Sequence, residues 1–382
     1  MRREQNQDGL ACATTTTTAG GPRRRTYRQN WRAYNAAQAN EKHEFQSLLY
    51  DLCQNLPPAE RGRGRPPLPL ADVVFCVLMK VYGGHAARRT QCDLQEAFEQ
   101  RFITRVPHYK AIPNYLDNPA LTPLLHDMII TTSVPLAATE EDFAVDSSGF
   151  TGSNYTPWYD QLYRGKKEHK WVKAHVITGV KTNIVSAVVI KDRDSSDAVQ
   201  LRELLETTAR NFKIEEVSAD KAYNVVYNQL AIHEIGVRAF IPFKSSHTGS
   251  HGGLWRKAFL FYQLHRQEFD EHYHQRSNVE STFWMIKSKF GSQIRSKTET
   301  AMMNEVLCKV VCHNICVLIQ SIYELGIVPQ FSTTQNVVPD EYLSTIGKRV
   351  RSANFFPIKK PVPYAFGSCP HATRKPRQGP FW

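Results

Sequence analysis

Apolar positions follow two different rhythms along the chain. In the first third, Val73, Val74, Val77, Leu78 and Val81 recur at helical spacing and Gly83-Gly84 stops the run, which predicts a helix over 70–82. A helical stretch over 31–56 precedes it, and shorter helices are predicted over 91–102, 109–116 and 121–131. Residues 31–135 therefore read as a small all-α N-terminal domain. A helix-turn-helix within 90–117 is a candidate, but Pro113 falls inside its recognition helix and breaks the pattern.

After Pro135 strands alternate with helices. Phe143-Ala144-Val145-Asp146 is a short apolar run ending in an acid. Residues 171–178 and 184–191 flank Gly179 and Asn183 as a hairpin. Ser195 or Ser196 caps a helix carrying Val199, Leu201, Leu204 and Leu205. A second apolar run, 217–220, again ends in an acid; a helix over 225–235, a strand over 237–242 and a long helix over 273–290 closed by Gly291 follow. The order β-β-β-α-β-α-β-α predicts an α/β domain over 136–325, a mixed sheet with flanking helices.

Composition refines this picture. With 382 residues, 41% of them hydrophobic, the chain is neither disordered nor a disulfide mini-protein. Its formal charge of +12 is uneven: residues 1–66 hold +5 and residues 326–382 hold +6. Basic ends around a nearly neutral body suit a polyanion partner, because Lys and Arg gain affinity by releasing the counterions of phosphates; a solubilising tail is the plainer alternative. Residues 1–30, with Thr14 to Thr18 and Arg23-Arg24-Arg25, read as a disordered basic tail, and 326–382 as a basic, largely irregular one. Arg61-Gly62-Arg63-Gly64-Arg65-Pro66 reads as a flexible linker that also resembles a minor-groove AT-hook element. No uninterrupted apolar run reaches ~18 residues and the N-terminus lacks an apolar h-region, so no membrane and an intracellular, cytoplasmic place are expected. The eight cysteines are expected as thiols. Cys308, Cys312 and Cys316 beside His313 invite a zinc reading, but the same spacing describes one buried helical stripe, and no CxxC pair is present.

The chemistry concentrates in three acids. Asp146 and Asp220 each end an apolar strand, a position that alone means no more than a turn cap. Tyr273, Arg276, Glu280 and Lys287 fall, at ~100° per residue, within about 60° of one helix face. A stripe this polar does not face a core. An acid set among a guanidinium, an ammonium and a phenol suits a metal ligand beside groups that hold phosphates.

These residues resemble the DDE transposases of bacterial insertion sequences. Their third-acid signature, Tyr-x2-Arg-x3-Glu-x6-Lys, is met by Tyr273, Arg276, Glu280 and Lys287, and the flanks of Asp146 and Asp220 resemble those of the family's other two acids. Residues 64–70 and the helix after them are also similar to the family, so that the likeness spans about 35–325. The resemblance implies an RNase H-like fold and metal-dependent DNA cleavage at element ends, followed by strand transfer into target DNA. Asp146, Asp220 and Glu280 would be catalytic and hold two Mg²⁺ or Mn²⁺ ions, while Tyr273, Arg276 and Lys287 would bind DNA. Double-stranded DNA is the implied partner and a homo-oligomer on DNA the implied assembly. About thirty residues between the last strand and the third-acid helix leave no room for the long β insertion of some relatives. An RNase H-like nuclease and a transposase-derived DNA-binding protein without cleavage are the alternatives.

Lys173 and His175 on the strand beside Asp146 could touch DNA or a water near a metal, against a hydrogen-bonded structural role. His272 and His274 flank Tyr273 but point apart on a helix. Arg164, Lys166, Lys167, Lys170 and Lys173 are candidates for phosphate contact, against an exposed solvated loop, and Trp284 for stacking on an extruded base or packing against the sheet.

Overall fold

The computed structural model describes residues 30–57, 67–152, 171–192 and 195–331. The two tails, the Arg-Gly linker and Arg164, Lys166, Lys167 and Lys170 lie outside these described residues.

Five strands form one mixed sheet, β1 (Asp142–Thr151), β2 (Trp171–Gly179), β3 (Val185–Asp192), β4 (Glu216–Ala219) and β5 (Arg238–Phe240), in the order β3-β2-β1-β4-β5. The first three pair antiparallel, and β4 and β5 run parallel to β1. This is the mixed sheet expected from the element order, in the RNase H-like arrangement that the resemblance implies. The β2–β3 turn lies tight on Glu140, whose carboxylate accepts from the amides of Lys181 and Thr182. A Cβ on Gly179 would come within 2.4 Å of Glu140 Cδ, so only glycine fits there.

Alternation along the strands gives the sheet two apolar faces. Phe143, Val145, Ile177, Val189 and Val217 pack against Leu201, Leu204 and Leu205 of α6 (Asp197–Ala209) and Ile232 of α7 (Val226–Glu234). Ala144, Phe150, Val172, Ala174, Val176 and Val188 face a larger core. That core is shared with α1 (Trp31–Gln54), α2 (Leu70–Tyr82), α3 (Thr90–Glu99), α4 (Ala111–Leu116) and α5 (Leu121–Ser133). After β5 come α8 (Gly253–Leu264), α9 (Arg266–Tyr273), α10 (Ser277–Phe290) and the central α11 (Glu299–Leu325).

Two expectations need correcting. Residues 100–110 separate α3 from the six-residue α4, too long a connection for a helix-turn-helix, and Pro113 sits in the first turn of α4, where a missing N–H costs nothing. The long helix predicted over 273–290 is broken: α9 ends at Tyr273, a 3₁₀ turn spans His274–Arg276, and α10 begins at Ser277. The break falls in the run His274–Asn278, where no residue is buried and no apolar anchor holds a regular α-turn.

Among the described helices, α11 is long and apolar enough to cross a bilayer, and 78% of its most apolar window is buried inside the protein. Cys308 and Cys312 lie fully buried on it, as the stripe reading required, with Cys312 Sγ 3.6 Å from the Leu78 carbonyl. Its polar residues also point inward. Asn314 Nδ2 donates to the carbonyls of Val185 (2.8 Å) and Ile129 (3.2 Å), and Asn314 Oδ1 accepts from Val185 N (3.0 Å), tying the helix to β3 and α5.

Candidate active site

The β1–β4 ladder ends at the pair Val145↔Ala219, so the next residues on the two strands are Asp146 and Asp220. Alternation turns both away from α6, toward the face that carries Ala144. Asp146 does not end its strand, as the sequence suggested. β1 runs on to Thr151 against β2, and only the pairing with β4 stops. Asp220 leads into a 3₁₀ turn, Lys221–Tyr223, without its side chain capping that turn.

Helix α10 crosses this face. Val279, Phe283, Ile286 and Phe290 bury its inner side. Asn278 Nδ2 donates to the Val180 carbonyl (3.0 Å), and Lys287 Nζ donates to Ser148 Oγ (2.7 Å), fixing both ends of the helix against the sheet. Gly291, at φ 81°, then turns the chain back toward β1. There Ile294 N donates to Thr151 O at 2.8 Å. Glu280 faces outward on the first turn with its side chain 58% exposed.

Arg276 joins the acids. One terminal nitrogen donates to Asp146 Oδ2 and the other to Glu280 Oε1, both at 2.8 Å. Asp146 Oδ1 also accepts from the Ser147 amide at 2.8 Å. Burial holds the Asp146 carboxyl above its ordinary range; Ser147 N–H and Arg276 oppose that shift, and the charges of Asp220 and Glu280 add to it. Tyr273 is raised chiefly by burial and feels Arg276 and all three acids. Asp146, Asp220, Glu280, Tyr273 and Arg276 therefore share one electrostatic neighbourhood. Lys287 stands further along β1, over the Phe150 ring at 5.1 Å, with its pKa lowered by burial.

The remaining candidates resolve by position. Lys173 and His175 point to the opposite face, where both approach Asp197. His175 is fully buried with Nδ1 3.3 Å from Tyr223 Oη, and burial pushes it down to about 4. It is a structural histidine. His272 bonds Glu216 at 2.7 Å and stacks on Phe240, while His274 is exposed, so the two point apart. Trp284 is 69% exposed on the Glu280 side of α10, which excludes packing against the sheet. Sequence reasoning missed Ser148, Asn278 and Lys309. Lys309 is buried on α11 and donates to the carbonyls of Gly291 and Gln293.

Three carboxylates without a thiol form a donor set suited to a hard divalent cation, and a buried carboxyl crowded by two others is one that a cation would relieve. With Arg276 between them, however, no three His, Cys, Asp or Glu side chains among the described residues are gathered closely enough to hold a metal.

Sheet order, acids on adjacent strands and a third acid on the crossing helix define an RNase H-like domain with an oxygen-rich acid site. Residues 137–315, just under half of the chain, match the family model of the transposase DDE domain. The family processes DNA and is generally dependent on divalent metal. No curated protein matches the chain.

Proposed function

We propose that the protein is the transposase of an insertion sequence, cleaving DNA at the element's ends and joining the freed 3′ ends to target DNA. The observation that carries this reading is the meeting of Asp146, Asp220 and Glu280 around Arg276 inside the matched domain. The three acids would hold Mg²⁺ or Mn²⁺, as two ions, which when bound supply activation of the attacking hydroxyl and stabilisation of the leaving oxygen.

The chain's own groups do the rest. Two sheet carboxylates and one helix carboxylate set the line along which a phosphodiester must lie. Arg276 presents a planar fork to a non-bridging phosphate oxygen pair. Tyr273, next to the 3₁₀ turn, and Lys287, two turns along α10, hold the strand on either side of Glu280. The basic tails add sequence-independent affinity, the assembled form on two element ends is a homo-oligomer, and the protein works at the nucleoid in the cytoplasm.

The test is a labelled duplex carrying the inverted repeat beside the gene, incubated with protein and Mg²⁺ or Mn²⁺, with Asp146→Asn in parallel. Metal-dependent nicking at the repeat boundary and subsequent joining, lost in the variant, is the expected result. Tight binding with no cleavage under either metal would replace this reading with that of a non-cleaving DNA-binding descendant.

A further inference from the structure

Arg276 occupies the position that a cation shared by Asp146 and Glu280 would need. Its two terminal nitrogens are committed to those carboxylates at 2.8 Å each, and the side chains of Arg276 and Asp146 are only 21% and 18% exposed. The third guanidinium group, Nε–H, is buried without a hydrogen-bond partner. A bridge meant only to brace the fold would not leave a buried donor unpaired. The residue also sits on the 3₁₀ turn between α9 and α10, the kind of irregular turn at which a helical segment hinges.

We propose that Arg276 is an internal counter-ion that closes the acid site to divalent metal, and that a DNA phosphate opens it by drawing the guanidinium away. The inference rests on the metal-dependent reading above. The carboxylate oxygens cannot serve a guanidinium and a divalent ion at the same points. Mg²⁺ requires oxygens at ~2.0–2.1 Å and repels the neighbouring positive charge. A phosphate offers Arg276 a fork-on-fork geometry that can engage Nε as well as a terminal nitrogen, satisfying the donor left unpaired in the closed state. Metal and DNA then bind cooperatively, and by linkage each strengthens the other by the same factor. The consequence is protective, since the protein free in solution keeps Asp146 and Glu280 paired to Arg276 and assembles its cleavage site only on DNA.

The experiment measures Mn²⁺ affinity by calorimetry and by the electron paramagnetic resonance of free Mn²⁺. It uses the full chain with and without a duplex, as wild type, Arg276→Gln, Arg276→Lys and Asp146→Asn, each checked for folding by its urea midpoint. Without DNA, Arg276→Gln should bind Mn²⁺ about tenfold more tightly than wild type. Arg276→Lys, whose single ammonium cannot fork between two carboxylates, should fall between them. Duplex should tighten Mn²⁺ binding to wild type and leave Arg276→Gln unchanged. Equal or weaker binding by Arg276→Gln without DNA, or no effect of duplex on wild type, overturns the proposal while the metal site stands. Mn²⁺ binding absent from every form, or undiminished in Asp146→Asn, overturns the metal-site reading itself and the proposal with it.

Discussion

Lys309 offers a quantitative test of how the site is held in place. Its side chain is buried on α11 at 2% exposure, and Nζ donates to the carbonyls of Gly291 (2.7 Å) and Gln293 (2.6 Å) in the segment that leads from α10 back to β1. Glu305 favours its charge, while Lys80, Arg295 and Lys287 oppose it, and burial dominates, pushing the ammonium from 10.5 down to about 8. At ~1.4 kcal/mol per pH unit, that drop means the charged form costs the fold about 3 kcal/mol relative to the neutral amine. The neutral amine still donates both hydrogen bonds. Between pH 8 and 10.5 the unfolded chain keeps the proton that the native one has released. The Lys309 contribution to stability therefore rises with pH across this window; it is complete above 10.5 and lost as pH falls through about 8.

Lys309→Met removes the charge but takes the donor from the part-buried carbonyls of Gly291 and Gln293, each costing ~1–3 kcal/mol. At pH 7.5 the relief of about 3 kcal/mol offsets much of that loss of ~2–6 kcal/mol, so the variant should fall between about 1 kcal/mol more stable and about 3 kcal/mol less stable than wild type. By pH 10.5 the relief is gone and the gap between wild type and variant should have widened by about 3 kcal/mol. Urea unfolding of both proteins at pH 7.5, 9 and 10.5 measures this directly, with groups common to both cancelling in the difference. A gap that stays constant within about 1 kcal/mol would refute the placement of a charged, desolvated lysine under the site.

Glu280→Gln should change stability by less than about 0.5 kcal/mol, because an exposed i,i+4 pair is worth no more, yet cleavage should fall at least about a thousandfold. Retention of a tenth of the activity, read by product formation on a labelled duplex, would remove Glu280 from the mechanism. Trp284→Ala should leave the thermal midpoint unchanged and weaken DNA binding by ~1–3 kcal/mol, the value of one stacked base; unaltered affinity in a fluorescence-quenching titration counts against any base contact. His175, held down near 4, keeps its stabilising neutral form above pH 6.5 and loses it as pH falls through about 4, so wild type should lose stability over this window relative to His175→Gln. Parallel urea midpoints for the two proteins would contradict that. Removing residues 332–382, net +6, should flatten the dependence of DNA affinity on salt, and an unchanged slope would show that the tail does not meet phosphates.

The sheet was legible because each strand buries alternate residues on both faces, and apolar runs such as 143–146 and 217–220 carry that pattern openly. The second half of β1 was not, since Ser147 to Thr151 is mostly polar or small and is recognisable as strand only through its partners on β2. Helices α8 and α9 were missed for a related reason. Trp255, Phe259, Tyr262 and Phe269 gather around Phe240 and Phe243 as an aromatic cluster, and that clustering exists only once β5 is in place. The acid triad could be read from motif spacing. Its electrostatics could not, because Arg276 and Asp146 are 130 residues apart and their bond depends on the register of α10 against β1.

This register divides the site into a rigid part and a movable part. Asp146 lies on the central strand of the sheet and Asp220 directly follows its neighbour β4, so both are anchored to a sheet held between two apolar cores. Glu280 is nearly as constrained, because its helix is fixed at Asn278 and Lys287, and Lys309 grips the segment that follows. Arg276 stands on a 3₁₀ turn between two helices, with one donor unpaired and its partners on two different elements. The carboxylates are thus preorganised close together, and the raised Asp146, held up chiefly by burial, also feels the repulsion of Asp220 and Glu280. The guanidinium that relieves this repulsion is the group with the most freedom to leave. A site built in this way spends no reorganisation on its acids when DNA arrives, and the motion required is confined to one side chain at a hinge.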